Sequence, residues 1–169
     1  CDHHRPGEFL PDAVAILDPK REDCTYPYDE LCGCGVGFKL IQALGQNRNE
    51  TIEDLVPYLD LVATAIAADI VPITGENRVL AYFGLKVINS EPRPGIKALV
   101  HQVKKTVLDI TDVVFIISPR INAAGRIKHG NHAVELLTEF DFEQAQQFAS
   151  EIEQYNADRK DLDKKITKE

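Results

Sequence analysis

Methionine is absent from this sequence, at position 1 as elsewhere. With Cys1 in the first place, that absence leads us to expect a piece of a longer polypeptide. No apolar run reaches the roughly 18 residues that a membrane span requires, so no membrane partner is expected. Nothing near the start has the charged, apolar and small-residue order of a secretory signal, and the cytoplasm is the expected compartment. Without such a signal the four cysteines, at positions 1, 24, 32 and 34, do not read as a disulfide framework. A zinc site from Cys24, Cys32 and Cys34 is conceivable, but the single residue between Cys32 and Cys34 is too short a spacer for the usual ligand pair. In "LCGCGVGFKL" the small residues instead favour close helix packing, and free buried thiols are expected. A dinucleotide loop is also excluded there, because the GxGxG of Gly33, Gly35 and Gly37 lacks a strand–helix–strand context and an acid placed for a ribose. Internal repeats and low-complexity tracts are missing too.

What is present is enough for a domain with a core: 169 residues, 44% hydrophobic and 27% charged. The net charge of −8 argues against general affinity for nucleic acid. Its distribution softens that objection, since the acids gather in the first 31 residues and after Glu135. Residues 92–108 hold Arg93, Lys97, Lys104 and Lys105 without an acid, and residues 113–134 hold Arg120, Arg126 and Lys128 without one. Either interval could form a local basic face. For 92–108 the alternative of ordinary solvated lysines stays open.

Hydrophobic spacing lays out the elements. "AVAILDP" at 13–19 reads as a buried strand closed by Asp18-Pro19. A helix is expected from about Asp29 through "GVGFKLIQAL". In "TIEDLVPYLDLVATAIAADI", Thr51 and Asp54 form a capping pair, Pro57 kinks or restarts the helix, and the all-round apolar run "LVATAIAA" predicts burial. Pro72 ends this helix near Ile70. "GENRVLAYFGLKVINS" has helical spacing at Val79, Leu80, Phe83 and Val87, and Pro94 starts a short helix. "DITDVVFIISPRINAAGRI" reads as an apolar core broken at Ser118-Pro119, and "HAVELLTEF" as a short helix. Asp141, with Gln144 three residues on, caps a long helix whose charged later part suits a bridge to another domain.

Chemistry concentrates in two places. The chain opens "CDHHRPGE", and Asp2, His3 and His4 are all ligand types for divalent metals. At the end of a strand a turn can swing alternate side chains together, and in α/β folds that is where sites form. The alternative is a polar loop with incidental histidines. Asp69 is the second place. A carboxylate at the C-terminal end of a buried helix meets the negative end of the helix dipole, so it requires a cation or strong donors from the following loop. Two divalent ions held by such groups would suit phosphoryl chemistry, and mixed His/carboxylate ligation suits Mn²⁺.

The segments "DHHRPGEFLPDAVAILDP", "GVGFKLIQAL", "LDLVATAIAADIVPITGENRVL" and "ISPRINAAGRI" resemble, in that order, RecJ-type single-stranded-DNA exonucleases of the DHH phosphoesterase superfamily. "ADIVPITGENR" and "PRINAAGR" are the specific strings, since DHH alone is shared by many phosphoesterases. The resemblance implies an α/β fold: the mostly helical C-terminal part of a DHH domain over residues 1–140, with one or two parallel strands. Residues 141–169 would form a connector helix towards a DHH-associated domain. It further implies His3 and Asp69 as metal ligands for two Mn²⁺ or Mg²⁺ ions. His4 would act at the scissile phosphate with Asp2 supporting the histidines. Arg120, Asn122 and Arg126 would contact single-stranded DNA. The function implied is 5′-to-3′ exonuclease action in recombination and repair, with a single-strand-binding protein or helicase as a further partner. Two rivals stay open: a phosphoesterase acting on short oligonucleotides, cyclic dinucleotides or pyrophosphate, and a non-catalytic DNA- or replisome-binding scaffold. The family's further metal-binding aspartates would precede Cys1, so the 169 residues alone are expected to be inactive and prone to self-association.

Overall fold

The structure, a computed structural model, describes residues 1–127 and 130–166, excluding the side chains of Arg126, Ile127 and Asp163. It divides into two compact units, Cys1–Val87 and Ile88–Glu169. Among the described residues every regular element is helical.

The first unit begins with an irregular stretch of bends and turns up to the first helix, α1 (Gly33–Gln46). The strand expected over 13–19 is not formed, and the parallel strands of the expected α/β fold are not seen among the described residues. Strand pairing requires a neighbouring backbone, and here Asp2 N–H donates to the Leu17 carbonyl (2.9 Å) as an isolated bond, not a ladder. Val14 and Leu17 are exposed; Asp18 and Pro19 are buried. Helix α1 starts later than Asp29, because Cys32 has extended backbone and caps it: its Sγ accepts from Gly35 N–H (3.3 Å). None of the four cysteines forms a disulfide; Cys32 is buried, Cys24 and Cys34 are half-buried and Cys1 is exposed.

Thr51 and Asp54 form the expected capping box at the start of α2 (Ile52–Leu55). Pro57 then sits in a single 3₁₀ turn, Val56–Tyr58, after which the chain restarts as α3 (Leu59–Ala68). Helix α3 buries Leu59, Val62, Ala63, Ile66 and Ala67 together with Asp60 and Thr64, and packs against α1. Helix α4 (Gly75–Asn89) carries Leu80, Ala81 and Val87 inward. Val79 and Phe83, expected on the same face, are exposed instead. The inward face is set by Gly84, where a Cβ would run into the Leu59 carbonyl and Ala63, so α4 meets α3 backbone to backbone.

In the second unit, Pro94 opens α5 (Pro94–His101). The expected break at Ser118-Pro119 does not occur. The helix runs on from α6 (Ile110–Asp112) through one π turn, Val113–Ile117, into α7 (Ser118–Ile127). The wider turn, with Ser118 N–H bonded to the Val113 carbonyl, lets the proline ring enter at the second position of α7, where its missing N–H does no harm. Helix α8 is Asn131–Thr138, and α9 is Phe142–Ile166. Asp141 caps α9 by accepting from Gln144 N–H (2.8 Å). Ala145, Ala149, Ile152 and Tyr155 of α9 are buried in packing that joins it to α5, α7 and α8, whereas Leu162 and Ile166 are exposed.

Two glycine substitutions should move stability in opposite directions. Gly84→Ala should cost about 1–3 kcal/mol by forcing α4 off α3. Gly125→Ala, on an α7 surface with no atom near the added methyl, should gain about 0.5–1 kcal/mol of helix stability. Urea unfolding of both variants checks the pair.

Candidate metal centre

The site is built at the end of α3. Asp69 is the C-cap of that helix, with extended backbone (φ −98°, ψ 158°) and its N–H on the Ala65 carbonyl. Its two carboxylate oxygens divide their work. Oδ1 accepts from Ile70 N–H (2.9 Å), and Oδ2 lies 3.1 Å from His3 Nε2. The acid at the negative end of a buried helix therefore has both a loop donor and an imidazole. The His3 side chain is 13% exposed and that of Asp69 37%, so the pair is sheltered but open on one side.

Gly33 supplies the surface on which the His3 ring rests, since a Cβ there would lie 3.3 Å from His3 Cδ2. Neighbouring Cys32 is held as a thiol: burial pushes its pKa up, and the Asp69 charge adds to the effect.

Asp2 turns away from this pair. Its Oδ1 accepts from His4 Nδ1 (2.8 Å), His3 N–H (2.7 Å) and His4 N–H (3.2 Å). The His4 ring bond, followed by the two backbone bonds, lowers the Asp2 carboxyl from 3.8 to about 2. The His4 ring sits 4.2 Å from that of His3, centroid to centroid, and is largely exposed. The triplet thus splits: His3 faces Asp69, while Asp2 and His4 face each other.

His3 and Asp69 offer a nitrogen and an oxygen, the mixed donor set of Mn²⁺ and related divalent ions. Among the described residues no group of three or more His, Cys, Asp or Glu side chains converges to hold an ion. The residues present fit two positions of a coordination sphere, not the whole of a two-ion centre.

The residues expected at a nucleic-acid path lie in the second unit on α7. Asn122 is exposed. Arg120 is turned inward instead, with 13% side-chain exposure: its guanidinium pairs with Glu153 of α9, and Nη1 donates to the Ile116 carbonyl (2.6 Å). The side chain of Arg126 lies outside the described residues. The 92–108 interval is partly engaged internally. Arg93 donates to the Leu137 carbonyl, Lys97 lies over the Phe142 ring, and Lys105 pairs with Asp109 and Asp112.

Sequence reasoning missed how the first turn of α4 is tied down. Asn77 is fully buried and bonds the Glu30 and Pro72 carbonyls. Glu76 accepts from Tyr26 Oη and Lys39 Nζ, both at 2.7 Å. The available signal was the polar string "TGENR" at the head of an otherwise amphipathic helix.

The Asp2–His4 contact has a defined pH window. A carboxyl lowered from 3.8 to about 2 favours the folded arrangement above 3.8, and that preference disappears as pH falls through about 2. Following the Asp2 carboxyl carbon by NMR should give a midpoint near 2, which His4→Ala should raise towards 3.8.

Residues 1–66 match the DHH family, N-terminal domain. The chain is 41% identical over 170 residues to the single-stranded-DNA-specific exonuclease RecJ of Bacillus subtilis (strain 168), covering 99% of this chain and 21% of that one. It is 38% identical over 174 residues to the RecJ of Escherichia coli (strain K12), covering 96% of this chain and 30% of that one. The crystal structure of RecJ from Thermus thermophilus in complex with Mn²⁺ superposes with a TM-score of 0.87 at 32% identity, over 98% of this chain and 24% of that one. The chain thus spans less than a third of the curated relatives named here. Within that span residues 1–66 resemble the DHH family, N-terminal domain, and the chain is similar to RecJ along nearly its whole length.

Proposed function

We propose that the chain carries part of the catalytic core of a metal-dependent exonuclease that removes nucleotides from the 5′ end of single-stranded DNA in recombination and repair. The observation that carries this reading is the approach of His3 Nε2 to Asp69 Oδ2 at 3.1 Å, in a chain similar throughout to RecJ exonucleases. Divalent ions, Mn²⁺ or Mg²⁺, would bind at His3 and Asp69 and supply water activation and charge neutralisation for phosphodiester hydrolysis. Mn²⁺ and Mg²⁺ are the ions in the solved RecJ structures.

Around that chemistry the chain's own residues have separate tasks. Asp69 is fixed by Ile70 N–H, so its free oxygen keeps one direction. His4 gives its Nδ1 to Asp2, which leaves Nε2 on the exposed edge of the ring to hold or pass a proton at the scissile phosphate. Asp2 stays ionised at neutral pH and fixes the ring tautomer. Asn122 and Arg126 on "PRINAAGR" would meet the phosphate backbone, which requires no sequence preference. Arg120 packs α7 to α9. We place the protein in the cytoplasm, where its single-stranded substrate and a single-strand-binding protein or helicase partner would be met. Among the described residues no helix is long and apolar enough to cross a membrane.

Two ligand groups are too few to hold two ions, so the 169 residues alone should release no nucleotides in Mn²⁺ and should bind the ion weakly. The exposed side chains of Phe9, Leu10, Val14 and Leu17 favour self-association at high concentration, which sedimentation reads. Robust Mn²⁺-dependent cleavage by this chain would defeat the partial-centre reading.

In a full-length protein carrying these residues, His3→Ala or Asp69→Ala should abolish turnover and leave single-strand binding nearly intact. Arg126→Ala should weaken binding and reduce the salt slope of affinity by roughly one counterion. Arg120→Ala should instead lower the unfolding temperature with the salt slope unchanged, because it breaks the contact with Glu153. Single-turnover cleavage and binding at several salt concentrations separate the three outcomes.

A further inference from the structure

We propose that Asn77 is a positioning residue that sets the spacing of the His3–Asp69 pair. Asn77 is fully buried, and its Nδ2 donates to carbonyls from two different segments, Glu30 (2.6 Å) and Pro72 (3.0 Å). Pro72 follows Asp69 in the loop leaving α3. Glu30 leads into Cys32, the cap of α1, and into Gly33, the surface under the His3 ring. One amide group therefore joins the segment that ends in the carboxylate to the segment that supports the imidazole.

The neighbouring contacts close the same seam. Tyr28 Oη donates to the Thr74 carbonyl (2.9 Å). Tyr26 and Lys39 both reach Glu76. Gly75 has φ +47° and lies beneath the Tyr28 ring, where a Cβ would be 2.5 Å from Cε2, so this turn requires glycine.

The chemistry of the position selects an amide. Two N–H groups on one nitrogen meet two carbonyls; a carboxylate of the same shape would set acceptors against acceptors. Asn77 Oδ1 is buried without a hydrogen-bond partner, a liability that an apolar side chain filling the same space would avoid. The clamp is what the amide supplies in exchange. "TGENR" then reads as a fastening between the two halves of the centre, one glycine for the turn and one asparagine for the tie.

The test is made first without metal, on the isotope-labelled 169-residue chain. Cross-peaks between the His3 imidazole protons and the Asp69 β protons report the pair directly. They should weaken or vanish in folded Asn77→Ala, and be intermediate in Asn77→Ser, which keeps one small donor. Gly95→Ala serves as the control: a Cβ there would run into the Leu136 carbonyl within the second unit, so it lowers the unfolding temperature away from the seam and should leave the cross-peaks in place. Asn77→Ser carries the test if Asn77→Ala does not fold. Unchanged cross-peaks in a folded Asn77 variant would overturn the proposal.

A second arm rests on the metal reading. Mn²⁺ should broaden the His3 resonances of the unsubstituted chain, and Asn77→Ala should require about tenfold more Mn²⁺ for the same broadening. If Mn²⁺ fails to broaden His3 in the unsubstituted chain while the cross-peaks respond as expected, the metal reading fails and the positioning role stands.

Discussion

A carboxylate at the wrong end of a buried helix is the constraint on which the first unit turns. Helix α3 is apolar on nearly every face and ends at Asp69, where unpaired carbonyls already make the surroundings negative. The acid is stable there only if donors come to it. One arrives within the loop, from Ile70 N–H, and the other from the start of the chain, from His3 Nε2. To bring His3 so far along the sequence, the irregular N-terminal stretch must place it against the head of α1. That is why Gly33 is bare and why a thiol, compact and weakly polar, caps that helix.

The same constraint explains what the sequence revealed and what it hid. The Thr51–Asp54 box, the restart at Pro57 and the Asp141 cap are local, each decided within a few residues, and each was legible. Asp69 was legible because an ionisable group broke an otherwise consistent apolar pattern. The strand at 13–19 was misread because an apolar run says only that a segment favours a partner, not that one is present. The break at Ser118-Pro119 was misread because one π turn absorbs a proline that an α-helical register would not. Arg120 looked like a free cation in an acid-free interval, but its partner, Glu153, lies more than thirty residues away on another helix. Asn77 was hidden for the same reason: its acceptors are backbone carbonyls, which carry no mark in a sequence.

Charge tells a similar story at larger scale. A net charge of −8 coexists with two acid-free intervals, yet the cations of 92–108 are partly engaged with helix ends, an aromatic ring and nearby acids. An acid-free stretch of sequence is therefore not the same as a basic surface. In the reading proposed here, the phosphate contacts fall on α7 around Asn122, where the surface is exposed and Gly125 leaves open space above the helix.

The triplet that opens the chain divides its labour by hydrogen bonding alone. Asp2 spends its Oδ1 on the His4 ring and on two backbone N–H groups, so it is poorly disposed to reach an ion beside His3. His3, whose ring has no such tie to Asp2, points to Asp69. Nε2 and Oδ2 approach to 3.1 Å. An ion bound by both atoms would have to displace any proton held between them, so metal and proton would compete for the same gap. The contact already brings a nitrogen and an oxygen donor side by side. This places the burden of accuracy on the segments behind them, the head of α1 and the loop after α3. Those segments are held together by the first turn of α4.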